Sequence, residues 1–273
     1  MAGPIDVGTA VVLGAVQGAT EFLPVSSSGH VALGAMMFGI SVEMPLAMVV
    51  LLHFGTLVAT VALFWPDLVG LTKGAVRGLG EPRKFFASPD GKLVAGIVVA
   101  SVPTAVMGLL LEERVESFSR VPWVVGACLL GSAVAVWSTR RGGGERQVLP
   151  LGAAVIVGVA QGLAVMPGLS RSGSTIAAAM LLGMTGPAAF RFSFLLSLPA
   201  VAGASLLSLR HADELARLGP GAITGALTAA IVGYGALRWL RSLVNQGRFW
   251  AFALYLVPLG LGLVAWPWVA RGA

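Results

Sequence analysis

The chain has 273 residues, 56% of them hydrophobic and only 11% charged, with a mean hydropathy of +0.88. Soluble domains carry about 25% charged residues, so the composition excludes an ordinary water-soluble globule. The net charge of +6 is spread over short segments between apolar runs; with no basic face and no reading motif beside it, it argues against a nucleic-acid partner.

The N-terminus carries Asp6 and lacks a basic leader region, so it does not read as a secretory signal. The lone Cys128 excludes an intramolecular disulfide and supplies no metal-ligand cluster. From residue 7 to residue 66 the only charged residues are Glu21 and Glu43. Within this apolar region lies a polar island, QGATEFLPVSSSGH at 17–30, followed by a short apolar piece at 31–40. A crossing helix needs about 17–25 residues, so 7–40 reads as a helical hairpin that enters the bilayer and returns. Irregular backbone at such depth survives only against protein or a water-filled cavity. Apolar runs follow at roughly 44–66, 93–111 and 121–138. A second hairpin is expected over 148–186, with its polar island at 167–175, and then runs at 192–209, 218–237 and 249–270.

The two islands are related. Gln161 follows Gln17 by 144 residues (161 − 17), and at that offset Gly18 meets Gly162, Ser26 meets Ser170, Ser28 meets Ser172 and Gly29 meets Gly173. Ser27 falls opposite Arg171, and His30 opposite Ser174. The expected fold is therefore an all-α polytopic membrane protein of two repeats, 1–145 and 146–273, in one membrane domain. Each repeat has a re-entrant hairpin and about three transmembrane helices. Basic residues crowd the loops 67–92, 138–147 and 238–248, whereas those in 112–120 and 210–217 are balanced by acids. This alternation puts the rich loops on the cytoplasmic side. Three spans per repeat invert the second repeat relative to the first, and the hairpins then meet near the midplane. Many transporters share that plan, so a transporter or flippase stands as the second reading.

The islands carry the chemistry. Gln17 and Glu21, four apart, share a helix face. An ionisable residue inside a membrane is costly and marks function by default. An ion pair between Glu21 and Arg171 would hold two hairpins together, but that alone does not call for hydroxyls beside it. Serines at a helix break often serve as caps, a reading that stays open for Ser28 and Ser172. Ser27, with His30 and Glu21 close in sequence, reads as a nucleophile beside a base. In PGLSRSGST (167–175), Arg171 is the only charge between Val148 and Phe190. Its planar fork binds phosphate oxygens bidentately. Ser170, Ser172, Ser174 and Thr175 add hydroxyls, Gly168 and Gly173 let backbone N–H groups approach, and a helix starting near Ser174 would point its positive end at the anion. Together these features predict phosphoryl transfer on an amphiphilic substrate, with water as an alternative nucleophile to Ser27.

In QGATE (17–21), PVSSSGH (24–30) and PGLSRSGST (167–175) the chain resembles the undecaprenyl-diphosphate phosphatases, also called bacitracin-resistance proteins. Their pattern is (E/Q)xxxE, a serine-rich stretch ending in His, and PGxSRSxxT, in this order over nearly the whole chain. The resemblance implies hydrolysis of undecaprenyl diphosphate to the monophosphate carrier of wall synthesis, and with it bacitracin resistance. It implies a multi-pass protein of the bacterial cytoplasmic membrane with its site facing the outer side. It also implies Ser27 as nucleophile, His30 and Glu21 as an acid/base pair, Arg171 as clamp, and Gln17, Ser26 and the PGxSRSxxT residues around the substrate. A divalent cation, Mg²⁺ or Ca²⁺, is implied with Glu21 as its protein ligand, most of its coordination coming from diphosphate and water. The sequence is silent on oligomeric state, which leaves room for a homodimer.

Other residues receive plainer readings. His53 lies in an apolar run and is expected to pack or face a pore. Arg191 reads as an interfacial anchor, and Trp250, Trp266 and Trp268 as an aromatic belt. A phosphatidic-acid-phosphatase type 2 site fails, because Ala177 stands where that motif needs histidine.

Overall fold

The computed structural model describes residues 6–30, 46–119, 121–208 and 219–269. Among them the chain is helical apart from turns, short 3₁₀ segments and one isolated bridge between Arg146 and Met184. The α-helices are α1 (Val7–Phe22), α2 (Leu46–Leu63), α3 (Trp65–Gly78), α4 (Pro82–Ala87), α5 (Pro89–Ser119), α6 (Pro122–Ser138), α7 (Leu151–Leu163), α8 (Arg171–Leu181), α9 (Gly186–Ser208), α10 (Pro220–Asn245) and α11 (Ala253–Val269).

Four stretches among the described residues are long and apolar enough to cross a membrane: Pro89–Leu111, Pro122–Arg141, Pro220–Asn245 and Phe249–Trp266. A fifth counts if α2 and α3 form one span, but they are bent by 71° at Phe64. Pro66 opens α3 and cannot continue the α2 hydrogen-bond ladder, which accounts for the break. The expected run at 192–209 falls largely in α9, which carries Arg191 near its start. Exposed apolar residues recur every fourth position, as in Val98, Val102 and Val106 on α5 and Ile223, Leu227 and Ile231 on α10. That periodicity gives each helix one continuous face toward lipid.

The short helices have a different job. α7 has 13 residues and α1 has 16, hence about 20 and 24 Å, short of the roughly 30 Å hydrocarbon core. Each is shielded by a long helix from the other half: α1 packs on α10, and α7 packs on α5. The glycines at these two contacts, Gly14 and Gly158, are 144 residues apart. A Cβ on Gly14 would collide with the Gly225 carbonyl, and one on Gly158 with the Ala100 carbonyl. Lipid offers no hydrophobic drive between helices, so close backbone approach through small residues supplies the packing. Gly14→Val should therefore push α1 off α10 and cost about 1–3 kcal/mol; the loss is read as a lower unfolding temperature in detergent, with Val12→Leu on the exposed face as control.

The returning part of the first hairpin, 31–40, lies outside the described residues, as does Glu43. Beneath the site, Phe22 of α1 packs on Phe194 of α9 with ring centroids 5.9 Å apart, and Phe64, Phe190 and Phe194 continue the cluster. Arg191, read as an interfacial anchor, has acidic partners. Its Nε donates to Asp67 at 2.6 Å, and Asp90 lies 3.9 Å from Nη2. The pair borders a cavity of about 450 Å³ whose wall includes Phe64, Arg241 and Asn245. Arg140 packs over Trp137 and Trp250, giving part of the expected aromatic belt a cation–π partner; the Trp268 side chain lies outside the described residues.

Candidate active site

The helical register of α1 puts Gln17 and Glu21 on one face, where the Gln17 amide donates to Glu21 Oε2 at 3.0 Å. α1 stops at Leu23, whose extended backbone leads through Pro24 and Val25 into a new helical turn at 27–30. Ser26 joins them with φ +66°, the one positive-φ residue other than glycine among those described. Such a conformation costs a residue with a Cβ roughly 1–2 kcal/mol. Its hydroxyl caps the turn by accepting from the Gly29 N–H at 3.2 Å. The Ser27 hydroxyl then reaches back six residues and donates to Glu21 Oε2 at 3.0 Å.

The second island repeats this cap with one change. Ser170 caps α8, accepting from the Gly173 N–H at 3.1 Å, but its backbone is extended at φ −79°. Ser26 and Ser28 pair at 3.3 Å through their hydroxyls, and so do Ser170 and Ser172. α8 begins at Arg171 rather than near Ser174, so the guanidinium itself stands on the first turn, where the helix dipole is positive. Ser132 of α6 fixes this loop by accepting from the Ser170 N–H at 2.8 Å and donating to the Gly168 carbonyl at 3.2 Å.

The two islands meet. A Cβ on Gly29 would lie 3.3 Å from Gly168 Cα, and Arg171 Nη2 forms an ion pair with Glu21 Oε1. Glu21 is the hub: Arg171 on one oxygen, Ser27 and Gln17 on the other. A group that sequence reasoning missed completes it. His53 Nε2 lies 3.7 Å from Glu21 Oε2, while its Nδ1 bonds the Val49 carbonyl at 2.8 Å. Since a carbonyl only accepts, Nδ1 carries a hydrogen, and Nε2 is left facing the carboxylate. His53 is therefore a site residue rather than a packing or pore-lining one.

His30 is placed differently from the expected acid/base role beside Ser27. Its ring nitrogens go to the Ser26 carbonyl at 2.8 Å and to the Tyr255 hydroxyl at 2.7 Å, not to Ser27 or Glu21. Thr175 turns away from the cradle: it donates to the Arg171 carbonyl at 2.8 Å and pairs with Ser193 on α9. Ser26, Ser170 and Ser172 are buried in the caps, so the side chains left to face a ligand are Ser27, Ser28, Ser174, Arg171 and His53. Gly168, at φ +95°, is a packing glycine: a Cβ there would meet the Val125 carbonyl and, at 2.8 Å, the Cys128 Cβ. Gly173 leaves its N–H to the cap rather than to an anion.

Among the described residues the site offers no protein-built cage for a divalent cation. Among the described residues no group of three or more His, Cys, Asp or Glu side chains could hold one. Glu21 is a lone carboxylate with both oxygens engaged, one of them by a guanidinium.

Fold and site thus define a helical integral-membrane protein with a buried, hydrogen-bonded ion pair where two loops touch. Residues 10–262 match the family described as bacitracin resistance protein BacA, and the chain belongs to that family. Relatives named undecaprenyl-diphosphatase include one from Desulfosudis oleivorans, 47% identical over 94% of this chain and 96% of the relative. Another, from Moorella thermoacetica, is 41% identical over 96% and 98%, and one from the more distant Korarchaeum cryptofilum is 38% identical over 96% and 99%.

Proposed function

We propose that this chain is an integral-membrane phosphatase that hydrolyses undecaprenyl diphosphate to undecaprenyl phosphate and inorganic phosphate. One observation carries the reading: a single buried carboxylate, Glu21, bonds both a serine hydroxyl and an arginine from the opposite loop. A serine becomes a nucleophile when a base can take its proton. Glu21 accepts from Ser27 directly, so the carboxylate is the base in this reading, and no histidine intervenes. Arg171 binds the terminal phosphate and offsets the charge that builds on its equatorial oxygens. The Ser27 Oγ–P bond forms as the anhydride P–O bond breaks, Glu21 takes the hydroxyl proton, and the prenyl monophosphate leaves. Water then attacks the phosphoserine and releases phosphate. His53 stands beside the same carboxylate, its Nε2 3.7 Å from Glu21 Oε2.

The cation implied by the resemblance finds its ligands, in this reading, on the diphosphate and water, and no step here runs through it. In this reading the site faces the outer side of the cytoplasmic membrane, as the family resemblance implies, and the second repeat is inverted relative to the first, following the loop charges. A homodimer is compatible with this plan.

Phosphate release from a prenyl diphosphate by purified protein tests the function, since a flippase would bind the lipid and release none. Ser27→Ala tests the nucleophile. Its expected effect is a fall in kcat of about 10²–10⁴-fold with the burst of lipid monophosphate lost; a residual rate within tenfold of wild type would make water the nucleophile.

A further inference from the structure

We infer that His30 and Tyr255 form a clasp that holds Ser26 in its left-handed conformation and so aims Ser27 at Glu21; His30 is a positioning residue, not the proton acceptor. The inference rests on the reading of Ser27 and Glu21 as the reacting pair. The Ser26 carbonyl receives two bonds from His30, one from its backbone N–H at 3.1 Å and one from Nδ1 at 2.8 Å. Because a carbonyl only accepts, the ring hydrogen sits on Nδ1, and the neutral ring must accept at Nε2. The donor there is Tyr255, at 2.7 Å, and the two rings stack with centroids 5.8 Å apart and planes 14° from parallel. Tyr255 belongs to α11, which packs on α6; the far end of the chain thus braces the tip of the first hairpin.

The second island is an internal control. There Ser174 replaces His30, the Ser170 carbonyl receives only the Ser174 N–H at 2.9 Å, and Ser170 relaxes to φ −79°. The left-handed serine occurs where the histidine clasp occurs and not where it is missing. The consequence is directional. At the relaxed island the residue after the cap is Arg171, which points across to Glu21; at the clasped island it is Ser27, which folds back six residues to the same carboxylate. Other titratable or charged groups at the junction are Glu21 on α1, His53 on α2, Cys128 on α6 and Arg171 on α8. The hydrogen-bond partners of the His30 ring are Ser26 and Tyr255.

The test uses full-length protein in detergent with a prenyl diphosphate. His30→Ala should lower kcat more than a hundredfold. His30→Asn keeps a donor where Nδ1 stands but cannot exchange a proton. It should recover at least a tenth of wild-type kcat and keep the wild-type pH profile. Tyr255→Phe should lower kcat three- to tenfold with KM within twofold, and should add nothing in the His30→Ala background. The clasp is refuted if His30→Asn, monodisperse and stable, is as inactive as His30→Ala or loses a limb of the pH profile. It is equally refuted if the Tyr255 effect is the same with and without His30. A readout independent of turnover uses the chain's three histidines, labelled with ¹⁵N. Tyr255→Phe should move the His30 Nε2 resonance and leave His53 unmoved, and an unmoved His30 resonance overturns the contact. Should wild-type protein release no phosphate, it is the phosphatase reading that fails, and the resonance still decides the clasp.

Discussion

Arg171→Ala is expected to lower kcat by about 10³–10⁵-fold, the range associated with removing an arginine that offsets charge in phosphoryl transfer. Three features of the site make the effect large. Arg171 is the only charged residue between Val148 and Phe190. Its side chain is about one-fifth exposed, so it works where solvent screening is weak. It also stands on the first turn of α8, whose dipole adds to its charge. The substitution should not unfold the protein. Stripping one partner from a buried ion pair costs about 3–5 kcal/mol when the remaining charge is left bare, but Glu21 keeps Gln17, Ser27 and His53. Arg171→Lys should restore little, because a point charge cannot reproduce the planar fork. The checks are kcat for each variant beside its elution profile and unfolding temperature; hydrolysis by Arg171→Ala within tenfold of wild type would remove Arg171 from the mechanism.

Glu21→Gln is expected to lower kcat by about 10²–10⁴-fold, the usual contribution of a positioned general base. The amide has the shape of the carboxylate and can still accept from Arg171, so packing is preserved. What it cannot do is take the Ser27 proton. Where Glu21 Oε2 now accepts from Ser27 and from Gln17, the variant would set an amide N–H₂ toward groups that need an acceptor. Ser27→Ala combined with Glu21→Gln should be scarcely worse than either alone, since residues acting as one unit are strongly non-additive. Rates that multiply in the double variant would mean that the two act in separate steps. Pre-steady-state formation of the prenyl monophosphate reads the first step directly.

Much of this site was legible in the primary structure because its signals are local. A four-residue spacing places Gln17 under Glu21, and a six-residue return through Pro24 brings Ser27 to the same carboxylate. The capping reading for Ser28 and Ser172 falls two residues too late: Ser26 and Ser170, which match at the 144-residue offset, hold the caps. His30 shows where local reasoning stops. Three residues after Ser27 it looks like that serine's base, yet a single left-handed φ at Ser26 turns the ring toward α11. No pattern in SSSGH announces a positive φ on serine, because the bonds that stabilise it come partly from a tyrosine 225 residues away.

His53 and Arg191 follow the same logic at longer range. A single histidine on an apolar helix has no periodic partner, and which wall of α2 meets α1 is set by how Gly55 lets α2 approach the Ala226 carbonyl of α10. The place of Arg191 just after the second hairpin suggests an anchor but not its partner, since Asp67 lies 124 residues earlier, beyond the bend at Pro66.

Apolar content, helix length and the spacing of polar residues are properties of the chain itself, so the sequence alone settled the membrane setting, the helical class and the closeness of Glu21 to the serines, whereas the pairing with Arg171 needed the fold. Which side chains turn toward that carboxylate was decided by the packed structure. Direction depends on backbone twists and helix crossings that arise only when distant segments press together, and these brought His53 in and turned His30 away.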